Sequence, residues 1–406
     1  MDEDRRARRS VNQSVIASGI IRAMFFVILL ILDLGMNGYF LWKTHLAFPQ
    51  MGKYRVLLMA WVVLMVVGPF LVRMMNRSGL AALGSLYGML CYCWLAVMFW
   101  FLCWGLVGDF WNLANRAVAY FQGGHAKLLL SPRIGWLAVT SIVAASLAWS
   151  LFEAQHIQLN TVSIGMPHMP PGSKPIRIAQ ISDLHLGGGT GMERLGKVVS
   201  LLKQSQADMI IANGDMIDGP YEDLQAFAAA LAEVQAPLGK YAVNGNHEYY
   251  SGLRNSELFH KAAGFRLLRQ EVVKVLPEAD WLWLAGVDDP AGAYFDKPRT
   301  LEADILAKCS SAADIILIKH RPEVDPASVG KVSLQLSGHT HGGQIFPFML
   351  VTRSVYHYWR GLYEVSAADG TGMPMRLFVN RGAGTWGPPM RLLARPEVVL
   401  FILEPA

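Results

Sequence analysis

The segment Ile176–Gly187 reads IRIAQISDLHLG, and it decides how the second half of the chain is interpreted. The short apolar run Pro175–Ser182 is typical of a buried β-strand. Asp183 and His185 follow this run directly, and both side chains are of kinds that bind metal ions. We therefore expect a strand that carries a polar site at its carboxyl end.

The surrounding sequence predicts more strands, and helices between them. Residues 153–175, rich in Pro and Gly, indicate an extended linker before a new domain at 176–406. Leu195–Leu202 and Leu224–Val234 show apolar residues at helical spacing. The other predicted strands are Asp208–Ala212, Lys240–Val243, Trp281–Val287, Asp314–Ile318, Val332–Leu336, Met375–Val379 and Glu397–Leu403. This alternation predicts an α/β domain.

Nearly every one of these strands is followed by a polar motif. The motifs are Asp183-Leu-His185, Gly214-Asp215, Gly245-Asn246-His247-Glu248, His320 and Gly338-His339-Thr340-His341-Gly342. In open α/β sheets ligands bind at the carboxyl ends of strands, so we expect these side chains to meet in one crevice. The other six histidines have no partner at ligand spacing and are interpreted as surface or core residues: His45, His125, His156, His168, His260 and His357.

Together, the five motifs resemble those of the calcineurin-like metallophosphoesterases, in order and in rough spacing. The strings ISDLHLG, GNHEYY, LAGVDDP, SGHTHGGQ and VNRGAGT are similar to the membrane-anchored bacterial branch called YkuE-like. The resemblance covers residues 176–406 and implies a β-sandwich flanked by α-helices. It also implies hydrolysis of a phosphoester by a dinuclear metal centre.

The resemblance implies a ligand set for two divalent ions. One ion would be held by Asp183, His185 and His341, the other by Asn246, His320 and His339, with Asp215 bridging them. A short carboxylate can bridge two cations, and neutral imidazoles leave positive charge for a substrate phosphate. Nitrogen and oxygen ligands without thiolate permit Mn, Fe, Zn or Co, and we expect Mn.

His247 stands next to the ligand Asn246 and has no metal in the family pattern. The resemblance assigns it to catalysis, with Asp215, as the proton donor to the leaving oxygen or as a group that stabilises charge in the transition state. A single histidine of this kind more often only packs, but five motifs in one order argue against that interpretation.

Residues near the motifs have two interpretations each. Asp288 and Asp289 could support the ligands or form a turn. Arg381 is a candidate phosphate contact. Residues 344–360 combine apolar, aromatic and basic side chains in a predicted loop. This composition suits either a surface that binds anionic lipid headgroups or an ordinary lid packed on the domain. We expect Gly214, Gly245 and Gly338 to let the backbone come close to the site.

The first half of the chain, residues 1–152, has a different composition. It carries 13 Lys and Arg against 5 Asp and Glu, whereas residues 153–406 carry 23 against 26. Apolar stretches of spanning length occur at Ala23–Trp42, Tyr54–Val72, Leu80–Gly108 and Ile134–Phe152. We therefore predict a membrane domain of four transmembrane helices.

Two details of this half remain open from the sequence. Asp33 is a charge inside a predicted span, which indicates either a function or a helical neighbour such as Asn37. Residues 110–121 show apolar side chains at helical spacing, which favours a separate interfacial helix over an extension of the third span.

Orientation follows from charge. Arg5, Arg6, Arg8 and Arg9 favour a cytoplasmic start, and four spans return the chain to that side. We therefore expect a multi-pass protein of the inner, or plasma, membrane, with a cytoplasmic catalytic domain.

The expected partners are the bilayer and a phospholipid or lipid-linked phosphate substrate, because related enzymes include hydrolases of UDP-diacylglucosamine. A tethered phosphodiesterase for soluble nucleotides is the alternative. A scaffold without catalysis is a third interpretation, although no ligand position is lost. The acidic second half argues against nucleic acid, and no protein partner can be inferred.

Overall fold

The computed structural model describes residues 27–188, 190–276, 278–295, 301–367 and 373–406. Two compact units divide the chain, the first ending at Trp149 and the second running from Ser150 to Ala406. The first unit is helical, and the second contains the sheets.

Five helices are described from the amino-terminal side. They are α1 (Val27–Ala47), α2 (Lys53–Val66), α3 (Gly68–Arg77), α4 (Ala81–Phe121) and α5 (Pro132–Gln155), whose last residues belong to the second unit. Three of them, α1, α4 and α5, are long and apolar enough to cross a membrane. Residues 23–26 of the first predicted span lie outside the described residues.

The second predicted span is broken. The helices α2 and α3 are bent by 60° relative to each other, so the described chain has three candidate spans, or four if this pair counts as one. Pro69 lies in the first turn of α3, where it supplies no backbone N–H to continue the preceding helix. Hydropathy alone did not show this break.

Two other details of the first unit are settled. The predicted interfacial helix at 110–121 is wrong, because α4 is one continuous helix of 41 residues that ends at Phe121. Apolar residues at helical spacing occur in both arrangements, so periodicity could not separate them. The amide of Asn37 donates a hydrogen bond to Oδ1 of Asp33 at 2.8 Å, as expected for a helical neighbour.

The second unit contains two six-stranded sheets. The first has the order β1-β12-β2-β3-β4-β5, formed by Gln158–Met166, Glu397–Pro405, Ile176–Ile181, Met209–Ala212, Lys240–Ala242 and Arg266–Leu267. The second has the order β10-β11-β9-β8-β7-β6, formed by Gly361–Val365, Met375–Val379, Leu334–Ser337, Asp314–Lys319, Leu282–Val287 and Glu271–Lys274. Both sheets are mixed.

Parallel pairing dominates the middle of each sheet. Strands β2 to β5 are parallel to one another, and so are β7, β8, β9 and β11. Their carboxyl ends therefore lie at a common edge within each sheet. One buried apolar cluster contains side chains of both sheets, including Ile178 and Met209 of the first and Leu284 and Ile316 of the second.

Helices cover the sheets. They are α6 (Met192–Ser205), α7 (Gln225–Ala232), α8 (Asn246–Ser251), α9 (Leu253–Ala262), α10 (Glu302–Leu306) and α11 (Phe348–Val355). Short 3₁₀ turns occupy Tyr221–Asp223, Pro290–Phe295, Pro326–Ser328 and His341–Gly343. The stripe predicted in α6 is buried, since Leu195, Val198, Val199 and Leu202 face the core.

All eight strands predicted from sequence are present, and β1, β5, β6 and β10 are additional. Strand β1 lies inside the segment 153–175 that the sequence indicated as a linker. It pairs in parallel with β12 along nine residues, so this segment completes the first sheet. Its pairing partner is more than two hundred residues away, which local pattern does not reveal.

Candidate metal centre

The structure brings the predicted ligands together at the carboxyl ends of the parallel strands. Asp183 and His185 follow β2, Asp215 follows β3, Asn246 begins α8 after β4, His320 follows β8, and His339 and His341 follow β9. Three groups of side chains offer ligand atoms within 4.8 Å of one another: Asp183, His185 and His341; His185, Asp215 and His247; Asp215, His320 and His339.

The backbone is strained where these side chains are presented. Five of the seven predicted ligands have a left-handed backbone: Asp183 at φ 53°, His185 at 49°, Asp215 at 51°, His339 at 73° and His341 at 51°. Residues other than glycine rarely adopt this conformation, and such strain clusters at functional sites. The turn after each strand therefore directs a polar side chain into the centre, and the backbone of that residue adopts an energetically unfavourable conformation.

Glycines next to the ligands allow the strand ends to approach, as predicted. A Cβ on Gly338 would lie 1.9 Å from Oγ of Ser182 and 2.5 Å from Oδ2 of Asp183. A Cβ on Gly214 would lie 2.5 Å from the backbone nitrogen of Gly245, and Gly214 has a φ of 82°. No larger residue fits at either position without moving the centre.

The first group surrounds Asp183. Nε2 of His341 lies 3.5 Å from Oδ1 of Asp183 and 3.1 Å from Nε2 of His185. All three side chains are buried. The backbone N–H of His339 donates to both oxygens of Asp183, at 3.1 Å each. The backbone of the turn that follows β9 thus holds the carboxylate of Asp183 in place.

Asp215 belongs to both of the other groups. Its Oδ2 lies 3.0 Å from Nε2 of His320 and 3.9 Å from Nε2 of His185. Nδ1 of His339 lies 3.0 Å from Nε2 of His320. A carboxylate placed between two sets of imidazoles is the arrangement that a bridging ligand requires.

Asn246 gives an independent indication of a cation. Its side-chain oxygen, Oδ1, is buried and has no hydrogen-bond partner among the described residues. A buried amide oxygen without a partner is costly, and native structures rarely leave one without a water molecule or an ion. The residues present therefore fit a divalent metal ion, which Asn246 would help to hold.

A carboxylate outside this set holds two of the histidines. Oδ2 of Asp218 accepts a hydrogen bond from Nδ1 of His185 at 2.9 Å, and Oδ1 accepts one from Nδ1 of His247 at 2.5 Å. Burial opposes ionisation of Asp218, but the two histidines outweigh it and lower its pKa to about 2. The sequence showed Asp218 near the second motif but gave it no role.

His247 lies at the side of the centre and is partly exposed. Burial lowers its pKa, but the hydrogen bond to Asp218 and the charges of Asp215 and Asp218 dominate and raise the pKa to about 9. Its backbone N–H donates to Oδ1 of Asp215 at 2.9 Å. The rings of Tyr250 and Trp386 lie 5.4 Å and 6.2 Å from its own ring.

Glu248 holds the turn of the Gly214-Asp215 motif in place. Its fully buried carboxylate accepts hydrogen bonds from the backbone N–H groups of Gly245, Asp215 and Met216, at 2.7, 2.9 and 2.6 Å. Burial and the charge of Asp215 raise its pKa to about 7. The motif Gly245–Glu248 thus places one ligand, Asn246, and fixes the backbone of another.

Two contacts join residues far apart in the sequence. The hydroxyl of Tyr356 lies 2.8 Å from Nε2 of His339. The fully buried guanidinium of Arg391 donates to the backbone carbonyl of His341 at 2.8 Å, and also to those of Arg381 and Gly384. From the sequence, Tyr356 was only part of the segment 344–360, and Arg391 had no predicted role.

Other sequence predictions have specific outcomes. Asp289 accepts hydrogen bonds from the guanidinium of Arg321 and from the backbone of Ala291, so it both forms a turn and supports the segment after His320. Arg381 forms an ion pair with Glu397. The predicted irregular loop at 344–360 is wrong, because it contains the helix α11.

Comparison with known proteins matches this unit to one family. Residues 176–343 match the calcineurin-like phosphoesterase family. The chain is 36% identical over 260 residues to an uncharacterized metallophosphoesterase of Aquifex aeolicus (strain VF5), covering 63% of this chain and 95% of that protein. It is 31% identical to the uncharacterized metallophosphoesterase YkuE of Bacillus subtilis (strain 168), covering 62% of this chain and 87% of that protein.

A vertebrate relative extends into the helical half. The chain is 30% identical over 304 residues to a transmembrane protein with metallophosphoesterase domain of Danio rerio, covering 72% of this chain and 66% of that protein. This similarity and the apolar helices of the first unit both indicate a membrane protein.

Proposed function

Because the chain belongs to the calcineurin-like phosphoesterase family, we propose that it is a membrane-anchored hydrolase of a phosphodiester or pyrophosphate bond, with two divalent metal ions. The observation that carries this proposal is the position of Asp215, whose Oδ2 lies 3.9 Å from Nε2 of His185 in the first ligand set and 3.0 Å from Nε2 of His320 in the second. The buried Oδ1 of Asn246, which has no hydrogen-bond partner among the described residues, also supports it.

In this proposal the two ions share one bridging ligand. Asp183, His185 and His341 would hold the first ion, Asn246, His320 and His339 would hold the second, and Asp215 would contribute to both. When bound, the ions would acidify a water molecule to hydroxide and offset the charge of the phosphate. Mn is the first candidate, with Fe, Zn and Co as alternatives, because the ligands are imidazole, amide and carboxylate.

His247 then provides the proton. Its Nδ1 is engaged by Asp218, so Nε2 is the atom that can donate to the leaving oxygen. A general acid must hold its proton, and the hydrogen bond from Nδ1 to the carboxylate of Asp218 favours the protonated ring. Asp218 is a positioning residue, because it acts on the substrate only through His247 and His185.

We propose a lipid-linked substrate. The support is the membrane anchor together with an open cavity of 710 Å³, whose lining includes Val324, Val329 and Val355 as well as polar residues such as Glu323 and His357. Tyr356 also lines this cavity, and its hydroxyl contacts His339, which connects the cavity to the centre. An apolar substituent of the substrate would occupy it.

The alternative is a tethered phosphodiesterase for soluble nucleotides. The exposed aromatic rings of Tyr250 and Trp386 beside His247 favour it, since such rings can stack on a base. Nucleic acid is not an expected partner, because residues 153–406 carry more acidic than basic side chains. No protein partner is inferred.

Metal-dependent hydrolysis by the purified full chain tests the proposal. The panel consists of bis(p-nitrophenyl) phosphate, UDP-diacylglucosamine and undecaprenyl pyrophosphate, with a cyclic nucleotide for the alternative. We expect Mn²⁺ to support hydrolysis of the aryl diester and faster hydrolysis of a lipid-linked compound. Faster hydrolysis of the cyclic nucleotide than of the lipid-linked compounds would favour the tethered phosphodiesterase for soluble nucleotides. Hydrolysis of none of these compounds in the presence of bound metal would refute the catalytic proposal.

A further inference from the structure

Helix α11 presents apolar side chains outward. Met349 and Thr352 face the interior, while Phe348, Leu350, Val351 and Val355 are 46, 59, 49 and 68% exposed. A surface helix of a soluble domain normally exposes polar residues on this face. A contiguous apolar patch of this kind marks a contact with another apolar surface.

This helix is attached to the metal centre at both ends. At its beginning, a Cβ on Gly343 would lie 2.4 Å from Cα of Met349, so α11 packs directly against the turn that carries His341. At its end, the hydroxyl of Tyr356 lies 2.8 Å from Nε2 of His339. The outward apolar face therefore borders the centre.

The same region lies close to the last turn of α5. The backbone carbonyl of Ser150 accepts a hydrogen bond from Arg391 at 3.0 Å. The carboxylate of Glu153 accepts hydrogen bonds from the backbone N–H groups of Leu393 and Ala394, at 3.0 and 2.9 Å. All five residues belong to the second unit.

One more backbone pairing reaches the start of α11. Leu392 donates to the carbonyl of Gln344 at 2.9 Å and accepts from the N–H of Phe346 at 3.0 Å. The chain that enters α11 is therefore joined through Leu392 to the segment that contacts the last turn of α5.

The residues around α11 carry positive charge and further exposed apolar side chains. Residues 344–363 contain two arginines, Arg353 and Arg360, and no acidic residue. Arg360 lies over the ring of Trp359 at 4.2 Å and donates to the carbonyl of Leu393. Leu393 and Trp386 are themselves 58 and 56% exposed. Apolar, aromatic and basic side chains together are complementary to the anionic headgroup region of a bilayer.

We propose that the α11 surface, formed by Phe348, Leu350, Val351, Val355, Trp386 and Leu393, lies in the headgroup region of an anionic bilayer. The metal centre then receives phosphates that remain in that bilayer surface. This inference rests on the proposed function for its catalytic consequence.

Photo-crosslinking of the full chain in nanodiscs tests the placement. p-Benzoylphenylalanine is introduced at Val351, at Leu137 in α5 as a positive control, and at Glu278 as a negative control. Glu278 is exposed before β7, at the end of the second sheet opposite to the centre. We expect phospholipid adducts, detected as a mass increase, at 351 and 137 but not at 278. Adducts at 137 alone, or crosslinks from 351 to a second copy of the chain, would overturn the proposal.

A charge variant links the surface to activity. For Leu350→Glu combined with Val351→Glu, we expect the rate on a vesicle-embedded lipid substrate, divided by the rate on bis(p-nitrophenyl) phosphate, to fall ~10-fold, since carboxylates are excluded from the apolar boundary. Glu278→Lys is the matched control. An unchanged ratio would contradict the proposal. If the wild-type chain hydrolyses neither substrate while lipid adducts form at 351, the proposed function is wrong. The proposed membrane contact of the α11 surface is then still supported.

Discussion

Nδ1 of His247 donates a hydrogen bond to Oδ1 of Asp218 across 2.5 Å. The second oxygen of the same carboxylate accepts from Nδ1 of His185. One side chain thus sets the ring orientation of a proposed metal ligand and of the proposed proton donor. Partners of this kind fix the tautomer of a histidine and leave its other nitrogen for the reaction.

Replacement of Asp218 by Asn is expected to lower kcat roughly 10- to 100-fold. The amide has one acceptor oxygen and no charge, so it cannot serve both imidazoles. Steady-state hydrolysis of an alkyl phosphodiester measures the effect, because its leaving group needs the proton that His247 donates. The control is Asp223→Asn, in an exposed turn of the same loop region, which is expected to retain wild-type kinetics. Wild-type kcat in Asp218→Asn would contradict the positioning role.

Removal of the proton donor should depend on the leaving group. For His247→Ala we expect retained metal and a loss of ~10²-fold in kcat on alkyl or lipid phosphoesters. The loss on p-nitrophenyl esters should be smaller, because nitrophenolate leaves without protonation. Equal losses on both substrate types would point instead to stabilisation of charge in the transition state.

A histidine remote from the centre predicts how stability depends on pH. His260 is fully buried, and burial lowers its pKa to about 4. Between pH 6.5 and 4 the unfolded chain therefore binds a proton that the folded chain does not, and stability is lost as the pH falls. The expected loss between pH 7 and pH 5 is about 2 kcal/mol, several degrees in Tm.

The variant His260→Gln isolates this contribution, since glutamine does not titrate. Thermal unfolding of both proteins at pH 7 and pH 5 gives the comparison. The fall in Tm between the two pH values should be smaller in the variant by several degrees. Equal falls in both proteins would show that His260 does not contribute to acid destabilisation.

The side of the membrane on which the centre lies depends on the bend between α2 and α3. If this pair crosses the membrane, the described helices make four spans, and an arginine-rich start inside places the catalytic unit in the cytoplasm. We predict that arrangement. A fluorescent protein fused after Ala406 should then be bright and an alkaline phosphatase fusion inactive. The reverse result would indicate an odd number of spans, or an outside start, and an outer-face substrate.

The convergence of these side chains could be predicted because each motif follows a strand, whereas their assignment as ligands came from the family resemblance. A parallel sheet brings strand ends together, so Asp183, Asp215 and His339 meet although they are distant in sequence. Short apolar runs bounded by turn residues also located the eight predicted strands. Local sequence therefore contained both the scaffold and the chemistry of the centre.

Features that depend on tertiary contact could not be predicted in this way. Tyr356 and Arg391 reach the ligands His339 and His341 from segments without a motif. Strand β1 pairs with β12 at the far end of the chain. Helix α11 has an outward apolar face, so the usual rule that apolar residues point inward failed for residues 344–360.

Titration of the metal-free chain with Mn²⁺, while hydrolysis of bis(p-nitrophenyl) phosphate is followed, tests whether two ions carry the reaction. We predict no activity without metal and a plateau at two equivalents per chain. We also predict that Asp215→Asn binds less metal and loses more activity than a variant of any single terminal ligand, because Asp215 would serve both ions. Full activity in Asp215→Asn, or hydrolysis independent of metal, would refute the dinuclear centre.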